Sequence, residues 1–358
     1  MKLMPLAVLL TLLAVPSPAA TARQPLDAET ERVTLIETLE RSVAVIMVSA
    51  REVRHLRTNV IVDEQPAIGS GVLLTADGVV LTAAHVVSDA TEVSVRFYTG
   101  DEQQVDVIFS DDAADLALLR VPVVPAGAQP ATLGNSDLVR KGQTVYVLGN
   151  PIGVEFSLSA GIVSGRHAVR HLFGGDAEAE MIQTDAAMNA GNSGGPMFNG
   201  RGEVIAIAQR ILTSGGGSEG LGFGVAVNAV RKLLTGDPCL WLGFSAVALD
   251  GEWSAALNVP QSDALLVQSV APRSPAARAG LRGGSVPVQS GNDHLLLGGD
   301  VILEVDKTPI SLWRRQPWQD TAEGTPHHLV VSVLRGGRTI DITIETIHHN
   351  SLLHALAH

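Results

Sequence analysis

The thirteen residues from Thr184 to Pro196, TDAAMNAGNSGGP, constrain this chain more than any other stretch. Gly191, Gly194 and Gly195 surround Ser193. Lacking a Cβ, each can take backbone conformations closed to other residues. Such a turn can aim two neighbouring backbone N–H groups, those of Gly191 and Ser193, at one point, and an anionic tetrahedral intermediate needs that kind of preorganised donor pair. A serine hydroxyl is inert at its free pKa. Chemistry at Ser193 therefore requires a histidine to take its proton and a carboxylate to orient the histidine.

Two upstream stretches supply these groups. Leu81–Val87 (LTAAHVV) sets His85 directly after an apolar, β-branched run, and Asp111–Leu119 (DDAADLALL) sets Asp115 at the mouth of an apolar strand. Taken singly, His85 also reads as a buried structural histidine and GNSGGP as an ordinary turn. Together they give the order His, Asp, Ser, one of several triad orders found on unrelated folds. The blocks Thr82–Val87, Asp115–Leu119 and Thr184–Pro196 resemble those of the HtrA/Deg family of trypsin-like serine proteases, and the resemblance runs over roughly residues 30–345.

That resemblance implies a mostly β chain: a chymotrypsin-like double six-stranded antiparallel β-barrel followed by a PDZ domain. It implies His85, Asp115 and Ser193 as the catalytic triad, with the oxyanion hole formed by the amides of Gly191 and Ser193. It also implies a specificity pocket that includes Met188, Ile207 and Ala208. These pocket residues carry no acidic group, so cleavage after small or medium aliphatic residues is expected. No cofactor or metal is required. The implied partners are unfolded polypeptide substrates, C-terminal peptides at the PDZ domain, and further copies of the chain in a homotrimer. No Phe, Trp or Tyr occurs between Arg23 and Arg96, where the family's trimer contacts are often aromatic. Two other readings stay open: a chaperone or peptide-binding scaffold with silent or regulated protease activity, and an assembly component that recruits partners.

Composition narrows the setting. At 358 residues, two domains are expected. With aromatics at 4%, Val, Ile, Leu and Ala must fill the cores. Met1–Ala22 reads as a secretory signal, with Lys2 at its start, an apolar Leu3–Val15 and a small-x-small site ending at Ala22. The alternative is an uncleaved anchor, although the apolar core is short for a bilayer about 30 Å thick. The net charge is −12, and −13 once Lys2 leaves with the signal. An acidic chain without a basic cluster argues against nucleic acid and anionic membrane surfaces. One cysteine, Cys239, cannot form an internal disulfide. Export without disulfides points to a bacterial periplasm or cell envelope.

Read in order, 23–66 is an N-terminal segment: a helix from Asp27, a first strand near Val43–Val48, and a polar loop over Arg51–Pro66. The protease domain is placed at 67–236. It starts with a hairpin around Asp77-Gly78, and repeated short strands then suggest a barrel. A loop over Arg166–Glu180 carries His167 and His171, which read either as metal ligands or as solvated side chains. Gln209–Gly220 is glycine-rich and expected to be mobile, and Val227–Leu234 is helical. The second domain is placed at 237–346. There Trp241, Leu242, Gly243 and Phe244 resemble the PDZ loop whose N–H groups hold a C-terminal carboxylate while the peptide adds as a strand. A plain glycine turn is the alternative. Gly283–Gly298 reads as an insertion, and the domain closes on a hairpin around Gly336-Gly337. The tail 347–358 carries His348, His349, His354 and His358, either a metal-binding tract or a solvated tail.

Overall fold

Runs of Val, Ile and Leu broken by Gly, Pro and Asp turns favour antiparallel pairing. The computed structural model describes residues 27–55, 60–88, 90–111, 114–170, 178–235, 241–249, 251–290, 293–313 and 327–346. Helix α1 (Asp27–Leu39) leads into β1 (Val43–His55) and β2 (Val60–Leu73), which pair from Val43↔Val72 to His55↔Val60. Then follow β3 (Val79–Thr82), α2 (Ala84–Val87), β4 (Ala90–Phe97), β5 (Gln103–Gln104), β6 (Asp106–Asp111) and β7 (Leu116–Arg120). They form a seven-stranded sheet in the order β5-β4-β1-β2-β3-β7-β6.

The two ends of this order meet, so the sheet comes round on itself as the expected six-stranded barrel does. The two edge strands, β5 and β6, are separated only by Val105, whose N–H donates to Val93 O at 3.1 Å. One stretch of chain bent at Val105 serves both edges, pairing with β4 at one end and β7 at the other. The second barrel is closed as expected. Its strands are β8 (Thr144–Gly149), β9 (Ser157–Arg170), β10 (Glu178–Thr184), β11 (Pro196–Asn199), β12 (Val204–Ile211) and β13 (Gly222–Ala226), in the order β10-β13-β12-β11-β8-β9. Helix α3 (Val227–Thr235) follows.

Parts of two loops expected from the sequence are strands. Arg51–His55 and Val60–Pro66 belong to the β1–β2 pairing, so the first sheet begins at Val43 and not at residue 67. The charges at Arg51, Glu52, Arg54, Asp63 and Glu64 read as a loop, but a ladder satisfies the backbone whatever the side chains are. Likewise β9 continues to Arg170 and β10 starts at Glu178, which puts His167 on a strand. The signal segment, His171, Cys239 and the His-rich tail lie outside the described residues.

The core sits where the two sheets meet. Val72, Leu81 and Leu118 of the first sheet pack with Leu148, Phe198 and Ile207 of the second, and Ile36 and Leu39 of α1 cover one side. The remaining elements form a third unit: β14 (Phe244–Leu249), α4 (Gly251–Ala256), β15 (Ala264–Val270), α5 (Pro275–Arg278), β16 (Val286–Ser290), β17 (Asp293–Leu297), β18 (Val301–Val305), β19 (Thr308–Pro309), α6 (Ile310–Trp313), β20 (His327–Arg335) and β21 (Arg338–Thr346). The sheet order is β14-β15-β18-β20-β21, with β19 on β18. The expected insertion is the separate hairpin β16–β17, and β20–β21 is the expected hairpin around Gly336-Gly337.

One buried ion pair ties this unit together. Asp300, 1% exposed, accepts from Nε and Nη2 of Arg335, both at 2.6 Å, and from the Arg282 N–H at 2.8 Å. Asp300→Ala leaves Arg335 with only the Gly280 carbonyl, 2.8 Å from Nη2, and the Arg282 N–H without its acceptor, and is expected to destabilise the unit by about 3 kcal/mol. The urea unfolding midpoint of the variant reads this directly, and an unchanged midpoint would show that the pair adds nothing.

Candidate active site

His85 is the second residue of α2, the single turn that follows β3. Its backbone N–H donates to Asp115 Oδ1 at 2.8 Å, and its Nδ1 lies 2.7 Å from Asp115 Oδ2. A carboxylate oxygen only accepts, so Nδ1 carries a proton and Nε2 of the neutral ring keeps its lone pair. The Asp115 side chain is 3% exposed and that of His85 is 45% exposed. The carboxylate is thus dry while the outer edge of the ring faces solvent. Asp115 itself holds a left-handed backbone, φ 52, a conformation that Asp tolerates better than most residues.

Ser193 lies on the turn between β10 and β11. Its own carbonyl accepts from the Ser70 N–H at 2.8 Å. A Cβ built on Gly69 would stand 2.6 Å from Val86 Cγ1 and 3.3 Å from Ser193 O, so the residue after His85 and the backbone of Ser193 flank one point. The Ser193 hydroxyl donates to Gln209 O at 3.2 Å and makes no hydrogen bond to His85. Gln209 closes the circuit from the other side: its Nε2 donates to Asp115 O at 2.8 Å and to Ala114 O at 3.3 Å. The structure therefore brings His85, Asp115 and Ser193 to one place, with the His–Asp bond made and the Ser–His bond not made.

The glycines act as their sequence positions suggest. Gly191 has φ 98 and Gly194 φ 83. A side chain on Gly191 would collide with Asn150 O, and one on Gly194 with Thr82 Oγ1 and Ser70 O. The Gly194 N–H donates to Ala208 O at 2.7 Å, and the Ala208 N–H donates back to Gly195 O at 2.8 Å. Among the described residues, no acceptor takes the N–H groups of Gly191 and Ser193.

Three buried polar residues hold this turn in a role that the sequence did not assign to them. The Ser70 hydroxyl donates to Gly191 O at 2.7 Å and accepts from Asn150 N at 3.0 Å. Asn150 Nδ2 reaches Ala44 O, Gly69 O and Ser70 Oγ at 3.0–3.3 Å. Gln209 is the third, and its Oε1 is buried without a partner. The setting of Ser70 between Gly69 and Gly71 in a strand was the available signal, because glycine inside a strand marks close approach of another backbone.

The expected pocket residues divide. Met188 and Ala208 share one buried cluster, whereas Ile207 faces the opposite cluster with Val72 and Leu81. Neighbours on a strand point to opposite faces, so Ile207 is not a wall of the same pocket as Ala208. Met188 instead packs on Gly222, where an added Cβ would stand 2.6 Å from Met188 Sδ. The Met188 N–H donates to Ser218 Oγ at 3.2 Å, and the Ser218 N–H donates to Asn189 Oδ1 at 3.1 Å. The loop carrying Ser218 is pinned by Glu219, whose Oε1 accepts from Ser214 Oγ and N, Thr213 Oγ1 and Gly215 N at 2.8–3.1 Å. Those bonds, Ser214 first, hold the Glu219 carboxyl below the ordinary carboxylate range.

In the third unit, Leu242 and Phe244 pack on its core, while Trp241 packs against the clusters of the first two sheets. Gly243 O accepts from Ala271 N at 2.8 Å. Among the described residues, no acceptor takes the N–H groups of Leu242 and Gly243. His167 bonds Gln183 Oε1 at 2.8 Å, and no group of three or more His, Cys, Asp or Glu suited to a metal ion occurs among the described residues.

Comparison with known proteins agrees with this geometry. The family model described as a trypsin-like peptidase domain matches residues 69–207. A putative serine protease, HhoA, of Synechocystis sp. is 33% identical over 294 residues, covering 78% of this chain and 70% of that protein. A probable periplasmic serine endoprotease, DegP-like, of Halomonas elongata is 32% identical over 288 residues, covering 79% of this chain. The chain spans just over half, 56%, of the length of that relative. Among solved structures, a serine-to-alanine variant of the HtrA-type protease AlgW with decapeptide is 28% identical, covers 88% of this chain and 97% of its own, and superposes with a TM-score of 0.51.

Gly194 gives the site a stability test. Its conformation and its collision partners, two of them backbone atoms (Ser70 O and Ala83 N), leave no room for a methyl group. Gly194→Ala is expected to cost about 2 kcal/mol, read as a lower thermal midpoint, and a variant as stable as the parent would show that the turn is looser than described.

Proposed function

The chain belongs to the HtrA/DegP-type trypsin-like serine proteases, and on that premise we propose that it is a serine endopeptidase that hydrolyses unfolded polypeptides. The observation that carries this reading is the His85–Asp115 pair set beside Ser193 and the two unengaged amides of Gly191 and Ser193. His85 Nε2 takes the hydroxyl proton as Ser193 attacks a peptide carbonyl. Asp115 holds the ring in that tautomer and stabilises the imidazolium that forms. The oxyanion rests on the amides of Gly191 and Ser193. His85 then protonates the leaving amine, and water repeats the sequence on the acyl-enzyme. The side chain before the cleaved bond enters a pocket walled by Met188, Ala208 and Gly222. Its apolar lining and its lack of an acidic group favour small or medium aliphatic residues.

Ser193→Ala is expected to lower kcat on the order of 10⁶-fold, because the three groups act as a unit. Wild-type protein given a peptide library should cleave after Val, Ile, Ala or Leu. A preference for Lys or Arg would reject the pocket, and activity retained in Ser193→Ala would reject the mechanism.

One observation favours a regulated enzyme, close to the peptide-binding scaffold with silent or regulated activity: the Ser193 hydroxyl is bonded to Gln209 O and not to His85. Fluorophosphonate labelling of Ser193 that rises when peptide is added would support that state.

The third unit is proposed as a PDZ domain, in keeping with the family resemblance. The free N–H groups of Leu242 and Gly243, next to the unpaired edge of β14, support capture of a C-terminal carboxylate with the peptide added as a strand. Gly243→Glu is expected to weaken binding of C-terminal peptides at least tenfold, since it sets a like charge at the carboxylate site, and unaltered affinity would discard the loop as the site. Homotrimer assembly and export to the periplasm, with signal cleavage near Ala22, complete the proposal on the same resemblance.

A further inference from the structure

The segment joining β8 to β9 carries features that the hydrolytic steps leave unused. Ile152 and Phe156 both hold left-handed backbone, φ 53 and 52. For a β-branched residue such as Ile152 this is a true outlier, and strain of this kind persists only where the surroundings impose it. Here they do. The Ile152 N–H donates to Ala190 O at 2.8 Å, and the Phe156 N–H donates to Asn150 Oδ1 at 3.0 Å. Phe156 meets Tyr98 edge to face at 5.4 Å, and Glu155 pairs with Arg96 of β4.

The strained turn presents apolar side chains to water. Ile152 is 79% exposed and Val154 64%. Ile68, also exposed, has its Cδ1 3.7 Å from where a Cβ on Gly153 would stand, so it borders the same turn. This patch adjoins the nucleophile: Ile152 is bonded to the residue before Gly191, and the residue after Ile68 abuts Ser193 O. Met188 and Gly222 belong to a different flank of the Ser193 turn, the one formed by the Ser218 loop and β13. A peptide lying across Ser193 has two halves. If the acyl half enters the Met188 side, the leaving half runs over Ile68 and Ile152.

We propose that Ile68, Ile152 and Val154 form a subsite for an apolar side chain just C-terminal to the cleaved bond of a polypeptide substrate. This rests on the endopeptidase reading above. The strain at Ile152 fixes its side chain against the solvent at the point where the leaving half passes. An apolar pocket that gains or loses a methylene or more discriminates by roughly tenfold or above, which sets the size of the effect.

The test uses internally quenched peptides with one acyl half and either Leu or Ser at the first two leaving-side positions. Wild-type protein is expected to favour Leu by about tenfold in kcat/KM. Ile152→Asn, which keeps a residue tolerant of left-handed backbone, should reduce that ratio to about twofold, while Ile152→Leu restores it. Partition of the acyl-enzyme between water and added leucinamide or glycinamide isolates leaving-side binding, and the preference for leucinamide should fall in the same variant. Equal rates for both peptides in wild type would overturn the proposal. So would a uniform loss in Ile152→Asn with the ratio intact, which would make Ile152 a support of the Gly191 turn. A drop in native mass with the ratio intact would assign the patch to contacts between copies and overturn it too. Failure of fluorophosphonate to label Ser193 would instead remove the endopeptidase reading itself, and this proposal with it.

Discussion

Ser70 is the contact through which the two halves of the site meet. Its hydroxyl is fully buried and serves Gly191 O and Asn150 N, its N–H holds Ser193 O, and its carbonyl accepts from Thr82 Oγ1 at 2.7 Å. One small residue on β2 thus fixes the turn between β10 and β11 and the end of β3 that leads into His85. The fit leaves no slack. A Cβ on Gly149 would stand 2.8 Å from Ser70 Oγ, and one on Gly195 2.9 Å from Ser70 Cβ. Gly149 and Gly195 have no room for a side chain between Ser70 and the neighbouring Asn192 and Leu148, and a buried hydroxyl is kept because its partners would otherwise be buried polar atoms without bonds.

Around this contact the sheets supply rigidity and the turns supply chemistry. Left-handed non-glycine residues in the first two sheets are Asp115, Ile152 and Phe156, and all three lie in segments that border Ser193 or His85. The strands between them are antiparallel ladders, bulged in places, over mostly aliphatic cores. A strained turn survives only on a frame that does not yield, and the long β1–β2 and β8–β9 pairings provide it.

What the sequence disclosed follows the chemistry. His85, Asp115 and Ser193 could be picked out because few residue types can do their work, and Gly191 and Gly194 because few can take their backbone angles. Ser70, Asn150 and Gln209 were hidden because they act on backbone atoms of distant segments, and a contact across 121 residues leaves no periodicity to read. Ile207 was misplaced for a simpler reason: on a strand, a shift of one residue exchanges the faces, and proximity along the chain says nothing about which face lines a pocket. The outer part of the β1–β2 pairing, within Arg51–Pro66, reads as a loop because its charges mask pairing that the backbone alone sustains. The bend at Val105, which lets one stretch of chain pair at both edges of the first sheet, is one that no turn residue announces.

Gln209 bears on whether the site is silent or only at rest. A serine hydroxyl has one proton to donate, and here it goes to Gln209 O. Reorienting a hydroxyl is rotation about side-chain bonds, a motion of picoseconds to nanoseconds where it is unhindered. The bond given up is between neutral groups and contributes about 1 kcal/mol net. That lowers the competent population by roughly fivefold to tenfold, far short of the factor on the order of 10⁶ that loss of the serine carries. A silent site would need more than a parked hydroxyl: the amides of Gly191 and Ser193 would have to turn away or find internal acceptors. They do neither among the described residues, since Gly191 is fixed between Ser70 Oγ and Asn150, and Ser193 between Ser70 N and the Ala208–Gly195 pair. On the proposed reading, the Ser193 hydroxyl is held on Gln209 O while the amides of Gly191 and Ser193 keep no internal acceptor among the described residues.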